Sequence, residues 1–124
     1  MTFVCYPKCS TCAKARQWLQ DHQVDYIERD IKTHSPTADE LERWQQDSGL
    51  PLKRFFNTSG LLYKEHKLKE KLPKMPEKEQ LALLATDGML VKRPLLVDDA
   101  LVLVGFRPAE WEEKLPLMPI KNDT

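Results

Sequence analysis

The periodicity of apolar and polar positions changes several times along the chain and predicts a succession of short elements. Residues 2–6 form a β-prone apolar run that ends at Pro7, and residues 10–22 repeat apolar side chains at helical spacing. Residues 24–30 then alternate between apolar and polar, which predicts a second strand. A strand, a helix and a strand with short joins predict a right-handed βαβ unit with parallel strands.

The middle of the chain, residues 31–88, contains helix signals and no strand candidate. Thr37 and Glu40 have the spacing of a capping box, which predicts the start of a helix. Gly49 predicts that this helix ends at about Ser48. Shorter helical pieces are predicted over residues 50–56, 61–66 and 77–86, with a turn at residues 57–60. This part of the chain is therefore predicted to be an all-helical insert.

Strand signals return after the insert. Residues 95–97 and 101–104 are apolar runs whose short join predicts a hairpin, and a last helix is predicted over residues 109–114. The order β-α-β, helical insert, β-β-α is that of the thioredoxin fold, an α/β class. We therefore expect one thioredoxin-like domain over residues 1–115, with the insert at about 31–88 and a disordered tail over 116–124.

Composition narrows the function classes. The 124 residues carry nineteen basic and nineteen acidic side chains without a basic stripe, which argues against direct nucleic-acid binding. No apolar run approaches the roughly 20 residues of a membrane span. Three cysteines, two of them in a redox-type motif, fit a reducing compartment better than a secreted disulfide framework. We therefore expect a cytoplasmic domain that does not interact with a membrane.

The candidate chemistry is a Cys-x-x-Cys pair, Cys9 and Cys12, at the predicted start of the first helix. The unpaired amides and positive dipole of a helix N-terminus stabilise a thiolate there. Thiols in such positions have pKa values lowered from about 8.5 to about 3.5–7.5, and the preceding Lys8 adds a cation. Cys9 is the predicted nucleophile, near the N-cap, and Cys12 is the predicted resolving thiol, one turn further in.

Less specific interpretations of these residues also exist. The pair could be half of a zinc site, but the three histidines offer no second pair at ligand spacing, so no metal is expected. The two cysteines could also be inert helix residues. Cys5 lies inside the first strand and is predicted to be a small buried hydrophobe. The histidines are predicted to be solvated, and the tryptophans to pack in the core.

Four stretches in order resemble the arsenate-reductase-like (ArsC/Spx) family. They are residues 6–15 (YPKCSTCAKA), 55–60 (FFNTSG), 87–94 (DGMLVKRP) and 104–108 (VGFRP). The resemblance covers about residues 2–115 and is closest to the Spx/YusI-type reductase-like branch. It implies a thioredoxin-like fold with a helical subdomain over one side of the site, and a cis bond between Arg93 and Pro94 that faces the cysteines.

The resemblance also implies roles. In the family's arsenate reductases one cysteine attacks arsenate while three arginines hold the oxyanion; Cys9 matches the cysteine, and Arg93 and Arg107 match two of the arginines. The third falls on or next to Asn57 and is missing, which should cost about 1.5–3 kcal/mol of oxyanion binding. Beside this role, Arg93 could simply be a solvated charge before a strand.

Three function hypotheses follow. The first is a thiol-dependent oxidoreductase that acts on a small anionic or disulfide substrate, without a bound cofactor, with glutathione, glutaredoxin or thioredoxin as external reductant. Its catalytic residues would be Cys9, Cys12 and Arg93. Its substrate-binding residues would be Lys8, Ser10, Thr11, Asn57, Pro94 and Arg107. The alternative is an Spx-like redox-sensing regulator that binds the C-terminal domain of the RNA polymerase α subunit. A true arsenate reductase is the third reading.

Overall fold

The computed structural model describes residues 1–115, so the predicted disorder of residues 116–124 lies outside the described part. The strands are β1 (Thr2–Cys5), β2 (Ile27–Asp30), β3 (Leu95–Val97) and β4 (Val102–Val104). The α-helices are α1 (Ser10–Asp21), α2 (Ala38–Ser48), α3 (Leu61–Glu65), α4 (Leu68–Lys71), α5 (Glu77–Thr86) and α6 (Pro108–Lys114). Short 3-10 turns cover Leu52–Phe55, Leu72–Lys74 and Gly88–Leu90.

The strands form one four-stranded sheet in the order β2-β1-β3-β4. Strand β1 pairs with β2 in parallel and with β3 antiparallel, and β3 and β4 form the predicted antiparallel hairpin. The element order and the pairing confirm the predicted α/β, thioredoxin-like fold. No helix within residues 1–115 is long and apolar enough to cross a membrane.

Strand β2 begins three residues later than the alternation of residues 24–30 predicts. The backbone N–H of Val24 donates to the carbonyl of Leu19, 3.0 Å away, and so helps to close the end of α1. Pairing with β1 starts only at Ile27, whose N–H donates to the carbonyl of Met1 at 2.9 Å. Residues 24–26, which were predicted to begin the strand, therefore belong to the connection between α1 and β2.

The helices between β2 and β3 form the predicted insert. The capping box of Thr37 and Glu40 is present, and Gly49 ends α2 with a left-handed φ of 69°. No strand is assigned between residues 31 and 88, although Phe56 makes one isolated bridge to Val91. The helix α4 was not predicted, because four residues are too few to show a helical period.

The sheet has a hydrophobic core on each face. Phe3 and Cys5 of β1 pack with α1 and with Trp111 of α6, whereas Val4 packs with the helical insert. Trp44 and Trp111 are buried and Trp18 is half-buried against Phe106, as predicted for the tryptophans. Strand β1 is therefore covered on both faces, by α1 and α6 on one and by the insert on the other.

Candidate active site

Cys9 lies where β1 gives way to α1, and it is the N-cap residue of that helix. Its backbone N–H donates to the carbonyl of Tyr6 at 3.0 Å, which closes the turn through Pro7 and Lys8. The half-buried side chain faces a cleft of about 380 Å³. The cleft is lined by Cys9, Thr11, Arg54, Asn57, Ser59, Gly60, Lys92, Arg93, Val104, Gly105, Phe106 and Arg107.

The surroundings of Cys9 favour its thiolate. Burial raises the pKa of the thiol, but hydrogen bonds from the backbone N–H groups of Cys12 and Thr11, from the Cys12 thiol and from Arg93 outweigh burial. The net effect is a pKa below the ordinary value for cysteine. Cys9 therefore has the surroundings that an activated nucleophile requires.

Cys12 has the opposite character. It is fully buried in α1, and its sulfur accepts a hydrogen bond from the backbone N–H of Tyr6 at 3.4 Å. A hydrogen bond to the Cys5 thiol, burial and the neighbouring Cys9 together raise its pKa well above the ordinary value. All three cysteines are free thiols. The structure thus has a half-buried Cys9 in the lining of the cleft and an interior Cys12, and the roles of nucleophile and resolving thiol stay predictions.

Arg93 lines the cleft, and its guanidinium contacts an aromatic ring and a backbone carbonyl. The peptide bond between Arg93 and Pro94 is cis, as the resemblance implied. The guanidinium carbon lies 5.5 Å from the centre of the Tyr6 ring, and Nη1 donates to the carbonyl of Met89 at 3.3 Å. Nε is buried and has no hydrogen-bond partner within residues 1–115. Arg93 thus lines the cleft with a guanidinium whose Nε is a buried donor without a partner among these residues.

The cleft is strongly cationic. Four basic side chains line it, and no aspartate or glutamate among residues 1–115 does. Two of the four, Arg93 and Arg107, were expected there; Arg54 and Lys92 were missed. Arg54 precedes the predicted site residue Asn57 by three residues, and this closeness along the chain was the available signal. Arg54 lines the same cleft as Asn57, the position at or next to which the resemblance implied a third arginine.

The other predicted site residues divide into two groups. Thr11 and Asn57 line the cleft, whereas Lys8, Ser10 and Pro94 are absent from its lining. Lys8 and Ser10 are exposed to solvent and Pro94 is buried. Pro94 therefore lies in the supporting structure, and the side chains of Lys8 and Ser10 point to solvent rather than into the cleft.

Nothing in the described residues forms a metal centre. Residues 1–115 contain no group of three or more His, Cys, Asp or Glu side chains arranged to hold a metal ion. His22 stacks on Trp18 with ring centres 3.8 Å apart, and His34 contacts the Thr33 hydroxyl at 3.0 Å. These contacts lie on α1 and on the loop after β2, away from the residues that line the cleft.

Known proteins with similar sequences and structures cover almost all of the described chain. The profile of the ArsC family matches residues 5–114. YusI of Bacillus subtilis is 52% identical over 113 residues, which are 91% of this chain and 96% of YusI. The regulatory protein MgsR of the same organism is 31% identical over 110 residues, covering 89% and 86%. A solved structure, described as a possible arsenate reductase from Streptococcus mutans, is 48% identical with a TM-score of 0.80, covering 86% and 90%.

Proposed function

Because the chain belongs to the ArsC family, we propose that it is a thiol-dependent oxidoreductase whose Cys9 attacks a small anionic substrate or disulfide. One observation carries the proposal. A thiol with a lowered pKa faces a cleft that is lined by four basic side chains and, within the described part of the chain, by no carboxylate. Such a site combines a nucleophile with charge complementarity to an anion.

The reaction proceeds by two thiol–disulfide exchanges. The Cys9 thiolate attacks one sulfur of the substrate disulfide, forms a mixed disulfide and releases the other half as a thiolate, which takes a proton from water. Cys12 then loses its proton and attacks the Cys9 sulfur, which releases the second substrate thiol and leaves the Cys9–Cys12 disulfide. Two electrons pass from the protein to the substrate, and a cellular dithiol or glutathione restores the reduced pair.

The surroundings of Cys12 suit this order of events. The charge of Cys9 is one of the causes that hold the pKa of Cys12 high. That charge disappears when Cys9 enters the mixed disulfide, so Cys12 becomes easier to deprotonate at the moment when it is needed. The hydrogen bond with Cys5 and burial, which are the larger causes of the raised pKa, remain, so the loss of the Cys9 charge lowers the pKa of Cys12 only in part.

Replacing Cys12 with serine is expected to stop the reaction after its first step. In the Cys12→Ser protein the mixed disulfide should accumulate to about one equivalent, because no thiol is left within reach of the Cys9 adduct. Intact-mass measurement after incubation with glutathione disulfide reads the adduct directly. A stable adduct in the wild-type protein and none in Cys12→Ser would contradict the assignment of the resolving thiol.

Arg54 is expected to contribute to the charge preference of the cleft. Arg54→Ala should slow the reaction with dithiobis-nitrobenzoate, a disulfide with a carboxylate on each ring, about fivefold, since one partly exposed charge contact is worth about 1 kcal/mol. The rate with the neutral dithiodipyridine should stay unchanged. Lys53→Ala is the matched control, because Lys53 is exposed and absent from the cleft lining. Equal slowing with both disulfides would argue against a role in anion binding.

A redox-sensing regulator is the second candidate function, and the relative MgsR favours it by its description as a regulatory protein. Under this reading the Cys9–Cys12 pair changes the affinity of the chain for the C-terminal domain of the RNA polymerase α subunit. A binding measurement with that domain, on the reduced and on the oxidised protein, tests it. Affinity that differs between the two states would favour the regulator, and absence of binding in both states would remove it.

Arsenate reduction is tested on the same cleft. Here the Cys9 thiolate would attack the arsenic of arsenate, and one oxygen would take up protons and leave as water while Arg93, Arg107 and the additional cation Arg54 hold the others. Consumption of thiols that depends on added arsenate would support this substrate. Consumption with small disulfides alone would assign the cleft to disulfide substrates.

A further inference from the structure

Cys5 has surroundings that a buried hydrophobe does not need. It is the last residue of β1 and is fully buried, as predicted, but it lies beside ionised groups. The Nη2 of Arg16 donates to the Cys5 sulfur at 3.5 Å. The same Nη2 donates to the Glu28 carboxylate at 2.9 Å. A cation therefore contacts this interior thiol, and a proton acceptor is bound to the same nitrogen.

Cys5 also contacts the redox pair. It packs in the same core cluster as Cys12, and the Cys12 sulfur accepts a hydrogen bond at 3.4 Å from the backbone N–H of Tyr6, the residue that follows Cys5. Cys9 lies one turn before Cys12, at the N-cap of α1. Cys12 thus lies between the other two cysteines, with Cys9 facing the cleft and Cys5 facing the Arg16–Glu28 ion pair.

We propose that Cys5 is a third redox-active thiol, which attacks Cys12 in the Cys9–Cys12 disulfide and forms a buried Cys5–Cys12 disulfide. The inference rests on the proposed function, because an oxidised substrate first has to produce the Cys9–Cys12 disulfide. It goes beyond that function by adding a second oxidised state of the protein.

The exchange balances within the chain. Cys5 loses its proton to the Glu28 carboxylate, which passes it to water because that side chain is partly exposed. The sulfur–sulfur bond between Cys9 and Cys12 breaks as the bond between Cys5 and Cys12 forms, and Cys9 leaves as a thiolate. The number of disulfides is unchanged, so no further oxidant is required. Cys9 is the better leaving group of the pair, because thiols of low pKa leave faster.

The consequence is a free nucleophile in an oxidised protein. With the disulfide moved inward, the Cys9 thiolate faces the cleft again and can form another adduct. The Cys5–Cys12 disulfide lies where both partners are fully buried, so external thiols reach it poorly. The chain would therefore retain one oxidising equivalent in its core while its nucleophile stays reactive.

Arg16 is the positioning residue for this step. Its Nε and Nη2 each donate to the Glu28 carboxylate at 2.9 Å, and Nη2 also reaches the Cys5 sulfur, so the cation is held where a Cys5 thiolate would form. A second ion pair of the same kind, Arg29 with Glu40, has Nη–Oε distances of 2.8 Å and touches no cysteine. It supplies the matched control.

Tryptic peptides separate the two disulfides. Cleavage after Lys8 and Lys14 leaves Cys5 in peptide 1–8, and Cys9 with Cys12 in peptide 9–14. The full chain is oxidised with one equivalent of glutathione disulfide, and free thiols are blocked with N-ethylmaleimide in acid before digestion. A Cys9–Cys12 disulfide appears as a loop within peptide 9–14. A Cys5–Cys12 disulfide joins the two peptides and carries the maleimide on Cys9.

The expected result is the joined pair of peptides with labelled Cys9, growing at the expense of the loop. In Cys5→Ala the loop should persist and Cys9 should stay unlabelled, with a thermal melt to show that the variant is folded. A loop that persists in the wild-type protein, with Cys9 protected as in Cys5→Ala, overturns the proposal. Absence of any protein disulfide overturns the proposed function itself, and the third thiol falls with it.

The rate of transfer tests Arg16 apart from simple proximity. Arg16→Met should slow the change from loop to joined peptides about tenfold or more, since it removes the cation that contacts the Cys5 sulfur and a charge-assisted hydrogen bond is worth a factor of this size. The rate at which the loop first forms should not change. Arg29→Met should alter neither rate. Equal transfer rates in Arg16→Met and the wild-type protein would remove Arg16 from the mechanism.

Discussion

Cys9→Ser is expected to lose all measurable reaction with disulfides, a fall of at least about a thousandfold. A serine hydroxyl stays protonated at neutral pH and cannot form the mixed disulfide, so the hydrogen bonds that lower the pKa of Cys9 have no thiolate to stabilise. The measurement is the release of nitrothiobenzoate from dithiobis-nitrobenzoate in a single turnover.

Cys12→Ser is the control for this loss. It removes the neighbouring thiol and keeps the nucleophile, so the first release of nitrothiobenzoate should survive, although Cys12 also donates to Cys9 and some of the rate will be lost. Retained release in Cys9→Ser, at a rate near that of the wild-type protein, would show that another cysteine is the nucleophile.

The second large effect is expected from Arg93. Arg93→Ala removes a side chain that lowers the pKa of Cys9 by hydrogen bonding, together with a buried Nε that has no partner within residues 1–115. A charge-assisted hydrogen bond of this kind is worth about 1.5–3 kcal/mol, so the rate with the anionic disulfide should fall about 10- to 150-fold. The pKa of Cys9 should rise at the same time, which the pH dependence of the rate records.

Two variants separate the parts played by Arg93. Arg93→Lys keeps the charge without the planar fork, so it should restore the pKa of Cys9 more fully than the binding of a carboxylate. Arg43→Ala removes an arginine that is exposed on α2 and should change neither quantity. If Arg93→Ala behaved like Arg43→Ala, Arg93 would be the solvated charge that the sequence also allowed.

Local signals explain how much of the fold the sequence could predict. The capping box of Thr37 and Glu40, the stop at Gly49 and the hairpin between β3 and β4 each depend on a few neighbouring residues, and each is present. The start of β2 was wrong by three residues, because the N–H of Val24 is used by the end of α1. That choice between two partners depends on tertiary structure, which the alternation of side chains does not record.

The candidate site residues with a local signal could also be predicted from the sequence. Cys9 and Cys12 could be singled out because their spacing at a helix start is typical of a redox pair. Arg54 was missed because its approach to the cleft depends on how the insert packs over the sheet. Arg16 of α1 contacts both Cys5 of β1 and Glu28 of β2, and a single-sequence pattern holds no signal for a contact among three elements.

The central claim is that Cys9 is an activated thiolate, and the rate of its alkylation by iodoacetamide against pH tests this most directly. Since only the thiolate reacts and its pKa is lowered, the rate should rise with pH at low values and reach its plateau well below about pH 8.5. Fragmentation of peptide 9–14 places the label on Cys9 or Cys12. A single fast site at Cys9 with an early plateau is the predicted result. A rate at Cys9 that keeps rising through about pH 8.5, like that of a free thiol, would contradict the account.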